Sequence, residues 1–260
     1  MPSFATPGPI AATVQVAGAR VRFTASDRTD TVVLVEPINA TSRSDVKVAT
    51  KTKVDFADGQ LSVKTTVAGD KNGSVAITID LPAGSSLVAY LAHSDVQADG
   101  SFGECELHMA SGRIALDRID ALQANISAGE VAIRDIAGRA DIEGGRGQIS
   151  IGHASADVDL SSASGGLDID RADGSVTATT ASGAIRIGRM TDGQAKLTNG
   201  SGNIEVGISE DAAASVDVNS ERGAVHNFVS SQGDAGPSDH KVMVHARTRH
   251  GDIIVQRAAS

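Results

Sequence analysis

A glycine recurs about every 18 residues from residue 112 onward, and each time it opens a short phrase of alternating residues. The phrases include SGRIAL, RGQISI, SGAIRI and SGNIEV. The glycines are Gly112, Gly129, Gly147, Gly165, Gly183, Gly202, Gly223 and Gly251. A fixed period of this size is typical of a solenoid, in which each repeat packs only against its neighbours.

Aliphatic residues alternate with small or polar residues on both sides of each glycine. After Gly183, for example, Ile185 and Ile187 flank Arg186, and before it Val176 and Ala178 flank Thr177. Alternation with a period of two predicts a strand with one buried face. Each repeat therefore contains two strands, and the glycine lies at the corner between them, where a positive φ favours a residue without a Cβ. The second position after the glycine is aliphatic in all eight repeats: Ile114, Val131, Ile149, Leu167, Ile185, Ile204, Val225 and Ile253.

These patterns predict an all-β fold, namely a single-chain parallel β-solenoid (β-helix) with two-strand coils of about 18 residues and an N-terminal β-rich cap. Ser94 stands one period before Gly112 and predicts a further corner of the same kind. Before it the repeat fades into strand-like segments, with a short helix predicted from Ser42 to Thr50. We therefore predict a capping subdomain over residues 1–85 and a solenoid with one continuous core over residues 86–260.

The composition and net charge limit the classes of molecule that the chain is expected to bind. The net charge of −9, from 32 acidic and 23 basic residues, disfavours nucleic acid and an anionic membrane as partners. The one cysteine, Cys105, falls at an inward position, which predicts a buried thiol. The N-terminal sequence MPSFATPGPI has no basic start and no apolar run of signal-peptide length, and no stretch approaches the length of a membrane span. We predict a cytoplasmic location.

The sequence predicts no catalytic, cofactor-binding or metal-binding residue, and no cofactor. Each glycine is followed by a strand rather than by the helix that a dinucleotide site needs, and GxSxG and HExxH are absent. The histidines His226, His245 and His250 cluster near the last corners but are predicted to be surface residues. The longest insertion, between Gly223 and Gly251, contains the polar, turn-like stretch SSQGDAGPSD.

Charged residues line two outward registers of the predicted coils. Asp141 and Asp159 share one register on neighbouring coils, where stacked carboxylates are suited to a hard cation such as Ca²⁺. Solvated carboxylates on an exposed sheet face are the alternative. The other register predicts a ladder of salt bridges through Asp168, Arg186, Glu205 and His226.

Several phrases outside the repeats are similar to a known family. The chain combines MPSFATPGPI, ASDRTDTVVLVE, VDFADGQLSV, IDLPAGSS and GSFGECEL with the SGxIxL coils and the closing HGDIIVQR. In this it resembles the bacterial putative-adhesin family of β-strand-repeat proteins, a domain of unknown function, over nearly the whole chain. The resemblance implies a parallel β-solenoid and brings no catalytic residues with it.

We predict a non-enzymatic protein that acts as a scaffold or binding surface for another macromolecule, an unknown protein partner. A self-assembling, bactofilin-like structural protein and a carbohydrate- or cation-binding surface protein remain as alternatives. The last phrase, HGDIIVQR, is predicted to form the final strand with no coil beyond it, and it places Ile254 outward. An apolar residue beside an unpaired edge predicts a weak homodimer through the C-terminal edge.

Overall fold

The computed structural model describes residues 2–65, 73–229 and 240–258. The chain folds into two compact units, Met1–Glu130 and Val131–Ser260. The described residues form strands and a single helix, so the predicted all-β class is confirmed. The stretch SSQGDAGPSD lies outside the described residues, so its predicted turns stay a prediction.

The first unit consists of strands and the helix. Its elements are β1 (Ser3–Ala5), β2 (Ala11–Ala17), β3 (Ala19–Ser26), β4 (Asp30–Pro37), α1 (Arg43–Lys51), β5 (Lys53–Ala57), β6 (Gln60–Lys64), β7 (Val75–Pro82), β8 (Ser86–Ala92), β9 (Ser94–Met109) and the start of β10 (Gly112–Ile136). The predicted short helix is confirmed, and it begins where the Ser42 side chain accepts a hydrogen bond from the N–H of Asp45. No helix among the described residues is long and apolar enough to cross a membrane.

The second unit consists of strands alone in its described part. Its elements are the end of β10, β11 (Ala140–Ala154), β12 (Val158–Ser164), β13 (Leu167–Ala172), β14 (Val176–Ser182), β15 (Ile185–Met190), β16 (Gly193–Ser201), β17 (Ile204–Ile208), β18 (Ala213–Arg222), β19 (Val225–Asn227), β20 (Lys241–His250) and β21 (Ile253–Arg257). The strands pair in parallel, and corresponding residues of successive repeats lie side by side: Leu167 pairs with Ile185, and Ile185 with Ile204.

The predicted inward residues of the second unit form its core, with one exception. Ile149, Leu167, Ile185, Ile204 and Ile253 are buried, as are Ile151, Ile169, Ile187, Val206 and Val255. The exception is the repeat that opens at Gly223. Val225 pairs with the buried Ile253 and so faces the same side of the sheet, but it is 43% exposed, and the polar Asn227 is exposed too, so the burial predicted for Val225 is wrong.

The corner glycines are required by φ and by close stacking. Gly183 has a φ of 140°, and a Cβ added to it would lie 2.6 Å from the carbonyl carbon of Gly165 and closer still to its oxygen. The positive φ predicted for the corners is found at every corner glycine except Gly223. At Gly223 the prediction of positive φ is wrong, and glycine is needed there because a Cβ would meet the backbone of Gly251.

Side-chain donors tie successive corners together. Asn199 Nδ2 donates to the carbonyl oxygen of Gly183 at 2.6 Å, Thr248 Oγ1 to that of Gly202 at 3.3 Å, and Ser220 Oγ to that of Gly251 at 2.8 Å. Each donor precedes its own corner glycine by three residues. The order of corners in space is therefore Gly183, Gly202, Gly251 and Gly223.

The last two repeats are stacked in the reverse of their chain order. β20 pairs with β16 on one side and β18 on the other, and β21 lies between β17 and β19. Ile254 thus has Glu205 and His226 as its neighbours, so the prediction that the C-terminal strand forms an open edge is wrong. The fully apolar inward row of β21 takes the covered position. The repeat containing Asn227 takes the end, where a polar inward side chain meets water rather than a core.

A similar insertion occurs in the first unit. β2 lies between β6 and β8, and β3 lies between β7 and β9, all in parallel. Val21 and Phe23 occupy the inward register beside Val96 and Ala98. The parallel stack therefore includes residues that the fading repeat did not reveal. Antiparallel pairs occur beside it, between β1 and β4, β4 and β7, and β5 and β6.

The Ser94 corner is in register with the later corners but differs in kind. Ser94 pairs with Gly112, as predicted, but the residue with positive φ is His93, at 51°. Ser94 is buried, and its hydroxyl accepts from the N–H of Ala19 at 3.2 Å and donates to the carbonyl of Ala92 at 3.0 Å. The expectation of a corner of the same kind is therefore wrong.

We expect Ser94→Gly to destabilise the protein by about 1–2 kcal/mol, because it removes a buried hydroxyl and leaves the N–H of Ala19 without its acceptor. Urea unfolding followed by circular dichroism measures the loss. Ser94→Ala is the matched variant, since it removes the hydroxyl without adding backbone freedom, and it should account for most of the effect. A neutral Ser94→Gly would contradict the role given to the hydroxyl.

Candidate functional site

A row of uncharged polar and aromatic side chains crosses the outer face of the first unit. Gln15 on β2 pairs with Tyr90 on β8, Tyr90 with His108 on β9, and His108 with Asn125 on β10. All four alternate with buried residues along their strands and so face outward. Because neighbouring strands lie about 4.8 Å apart, each member of the row is about that far from the next.

The centre of the row is an ordered aromatic pair. The rings of Tyr90 and His108 stack with centroids 4.9 Å apart and planes 3° from parallel. His108 Nε2 lies 2.7 Å from Oε1 of Glu106. Because an ionised carboxylate can only accept a hydrogen bond, Nε2 is the donor, and this hydrogen bond holds the orientation of the imidazole. Tyr90 nevertheless remains 43% exposed, so the pair is held in place and is still accessible to solvent.

Small residues form the floor beside the row. They stand two positions after each member of the row, and they are Ala17, Ala92, Ala110 and Ser127. The row, these small residues and Thr65 line an open groove of about 580 Å³. This volume is within the range that is usual for sites that bind small ligands. We call this groove the Tyr90 groove. Its long axis follows the row and so runs across the strands.

Among the residues that the structure describes, the lining of the Tyr90 groove carries no aspartate, glutamate, lysine or arginine. A second groove in the first unit, of about 320 Å³, differs in this respect. It is lined by Arg20, Asp95 and Arg113, which are successive partners in one register, and by Arg22, which forms an ion pair with Asp99 at 3.0 Å. Opposite charges alternate there, whereas the Tyr90 groove offers amides, a phenol, hydroxyls and apolar surface.

The acidic residues of the second unit are largely held by cations and hydrogen bonds. Arg186 contacts Asp168 at 2.8 Å and Asp170 at 3.2 Å. Burial raises the pKa of Asp173, but hydrogen bonds from Arg171, Thr191 and His153 outweigh it and hold that pKa well below its ordinary value. These carboxylates are therefore engaged in structural contacts.

The predicted outward ladder is found in part. Asp168, Arg186 and Glu205 are successive neighbours, as expected. The next neighbour of Glu205 is Ile254, so the predicted step from Glu205 to His226 is wrong, because β21 is inserted between their strands.

Asp141 and Asp159 are adjacent and exposed, in the predicted register. The described ranges contain no group of three or more His, Cys, Asp or Glu side chains placed to hold a metal ion. Among the predicted surface histidines, His245 contacts Asp217 at 3.0 Å and His250 lies 3.4 Å from Arg222. Cys105 is buried as predicted, and burial raises the pKa of its thiol to about 12, which makes it a poor nucleophile at neutral pH.

Comparison with protein families places the chain. The family model described as Toastrack DUF4097 matches residues 12–256 and so spans both units. The chain belongs to the Toastrack family. The resemblance inferred from the repeats and the N-terminal phrases is thereby confirmed, as a β-solenoid-like domain of unknown function.

Several crystal structures are similar to this Toastrack chain. A putative adhesin from Bacteroides fragilis NCTC 9343 is 13% identical with a TM-score of 0.48, over 98% of this chain and 95% of that one. A putative adhesin from Parabacteroides distasonis ATCC 8503 is 11% identical with a TM-score of 0.38, over 98% and 95%. A putative cell adhesion protein from Clostridium sporogenes ATCC 15579 is 10% identical with a TM-score of 0.29, over 98% of each chain. Comparison with curated proteins finds no match.

Sequence analysis did not find the Tyr90 groove. Tyr90 and His108 are one period apart, so the repeat contained a signal for their stacking. Gln15 could not have been aligned with them, because β2 reaches its place by insertion between β6 and β8. The predicted absence of catalytic, cofactor-binding and metal-binding residues stays a prediction.

Proposed function

We propose that this Toastrack protein is a non-enzymatic scaffold that binds an uncharged carbohydrate chain in the Tyr90 groove. The single observation that carries the proposal is the lining of the groove, which among the described residues has no Asp, Glu, Lys or Arg side chain in a protein of net charge −9. Sugar hydroxyls are matched by amides, hydroxyls and aromatic surface. An acidic or basic chain would find no Asp, Glu, Lys or Arg to pair with among the described residues that line the groove.

The direction of the groove supports a chain ligand rather than a small compact one. The row from Gln15 to Asn125 crosses four strands, so its polar groups repeat at the strand spacing of about 4.8 Å. A linear chain of similar units can present one unit to each strand. The stacked pair of Tyr90 and His108 provides a preformed surface that loses little conformational freedom on binding.

The state of the reactive groups supports a binding role rather than a catalytic one. The thiol of Cys105 is buried with a raised pKa, and the carboxyl of Asp173, whose pKa is strongly lowered, is held by structural partners. Catalytic groups usually have pKa values shifted toward the working pH, not away from it.

The architecture that presents the groove is proposed as a parallel β-solenoid with two-strand coils of about 18 residues. Register offsets such as Val158 with Val176 support this coil length. A capping role for residues 1–85 is supported by the antiparallel strands found there. The cytoplasmic location predicted from the sequence is tested by fractionation of the native cell.

We expect Tyr90→Ala to weaken binding of a neutral polysaccharide by about tenfold, because it removes the stacked ring and its contact area. Affinity electrophoresis in gels containing dextran, mannan or xyloglucan measures the change, with alginate as the acidic comparison. Phe228→Ala is the matched control, since it removes an exposed aromatic ring from the second unit, and it should bind like the wild type.

Two outcomes would contradict the proposal. Binding to alginate in preference to every neutral polysaccharide would exclude an uncharged ligand. Failure of all the polysaccharides, together with a protein captured from the native cell in a Tyr90-dependent manner, would replace the carbohydrate with the protein partner that the sequence first suggested.

A further inference from the structure

The outer edge of β18 has no strand partner among the residues that the structure describes. β18 pairs with β20 along one edge only, in parallel register from Ala213 with Lys241 to Arg222 with His250. The N–H and C=O groups on the free edge of a strand are a template for a further strand. At ten residues, β18 is long for an edge strand.

The core is also incompletely covered at this end. Val244 and Ala246 on β20 are buried, whereas their partners Val216 and Val218 on β18 are only half-buried. Further along the same repeat, Phe228 is 65% exposed. An added strand would therefore remove apolar surface from water as well as satisfy backbone groups.

We propose that β18 pairs antiparallel with β18 of a second copy about a twofold axis at Val218. The proposal is independent of the carbohydrate proposed for the Tyr90 groove. A twofold contact uses the same edge of both copies and leaves neither exposed, so it closes at a dimer.

The side-chain pattern of β18 selects this register. Inward residues must lie opposite inward residues for the core to continue, so the axis passes through a residue rather than between two. An axis at Asp217 sets two carboxylates opposite each other, and an axis at Asn219 sets Asp217 opposite Glu221. With the axis at Val218, Asp217 lies opposite Asn219, and Glu221 lies opposite Ser215.

The Val218 register also pairs more of the strand than any other register that avoids opposed like charges. It joins residues 214–222, with Arg222 opposite Ala214, and no two like charges face each other. An axis at Val216 likewise avoids opposed charges but pairs only residues 213–219, because the strand begins at Ala213.

Charge substitutions at Ser215 test the dimer and its register together. Ser215 and Glu221, which the Val218 register places opposite each other, are both exposed in the single chain, so a substitution of Ser215 does not disturb the core. Ser215→Glu sets two carboxylates opposite each other twice per dimer, and we expect the dissociation constant to rise about fivefold. Ser215→Lys sets a cation opposite Glu221 of the second copy, and we expect the constant to fall by a similar factor.

Sedimentation velocity over a concentration series measures both constants. Thr179→Glu and Thr179→Lys make the same charge changes at an exposed site between Ser161 and Thr198, and should sediment like the wild type. A wild type that stays monomeric at every concentration would overturn the proposal. A dimer that responds equally to both Ser215 variants would overturn the register, and growth beyond a dimer would replace the twofold contact with head-to-tail assembly.

Discussion

Ile185→Asp lowers the free energy of unfolding by about 4 kcal/mol, because it places a carboxylate in a core that offers it no partner. Ile185 is 2% exposed and lies between Leu167 and Ile204, which are also buried. The carboxylate must either lose its hydration or take up a proton, and both cost free energy. Urea unfolding at neutral pH, followed by circular dichroism, gives the value.

Arg186→Ala is the matched control for Ile185→Asp, since it changes the adjacent residue on the opposite face of the same strand. Arg186 bridges Asp168 and Asp170, but its side chain is 45% exposed, so solvent screens the interaction. We expect a loss under about 1 kcal/mol. Equal losses for the two variants would show that the inward and outward faces of β15 have been exchanged.

Gly183→Val lowers the free energy of unfolding by more than about 3 kcal/mol, because φ and space both exclude the side chain. A φ of 140° is strained for any residue with a Cβ, and most of all for a β-branched one. The Cβ would also overlap the backbone of Gly165, which belongs to the neighbouring corner and cannot move without disturbing the stack. The same unfolding measurement gives the loss.

Gly166→Ala is the control for Gly183, because it tests a glycine beside a corner rather than at one. A Cβ on Gly166 would have nothing nearer than 3.9 Å, and the backbone there is not in the positive-φ region. We expect a change within about 1 kcal/mol. If Gly166→Ala and Gly183→Ala proved equally harmful, the loss would reflect a general sensitivity to side chains near the corners rather than the stacking of the corner glycines.

Local patterns predicted most of the strands and corners. The period-two alternation around each glycine identified the buried rows, since a strand with one covered face needs an apolar residue at every second position. Asn227 and the 28-residue spacing from Gly223 to Gly251 were the signals that the last repeats differ. An amide at an inward position is suited to an end coil, where it can meet water. Here its Oδ1 accepts from the N–H of Val229.

The sequence by itself determined which residues face inward, where the chain turns, and that glycine occupies the stacked corners. Only the tertiary structure decided the order of stacking at both ends of the chain: β2 lies between β6 and β8, and β20 between β16 and β18. The reason is that closing a longer loop costs little additional entropy, so the chain can place a more apolar repeat in the covered position regardless of sequence order. The row from Gln15 to Asn125 and the free edge of β18 both depend on those insertions.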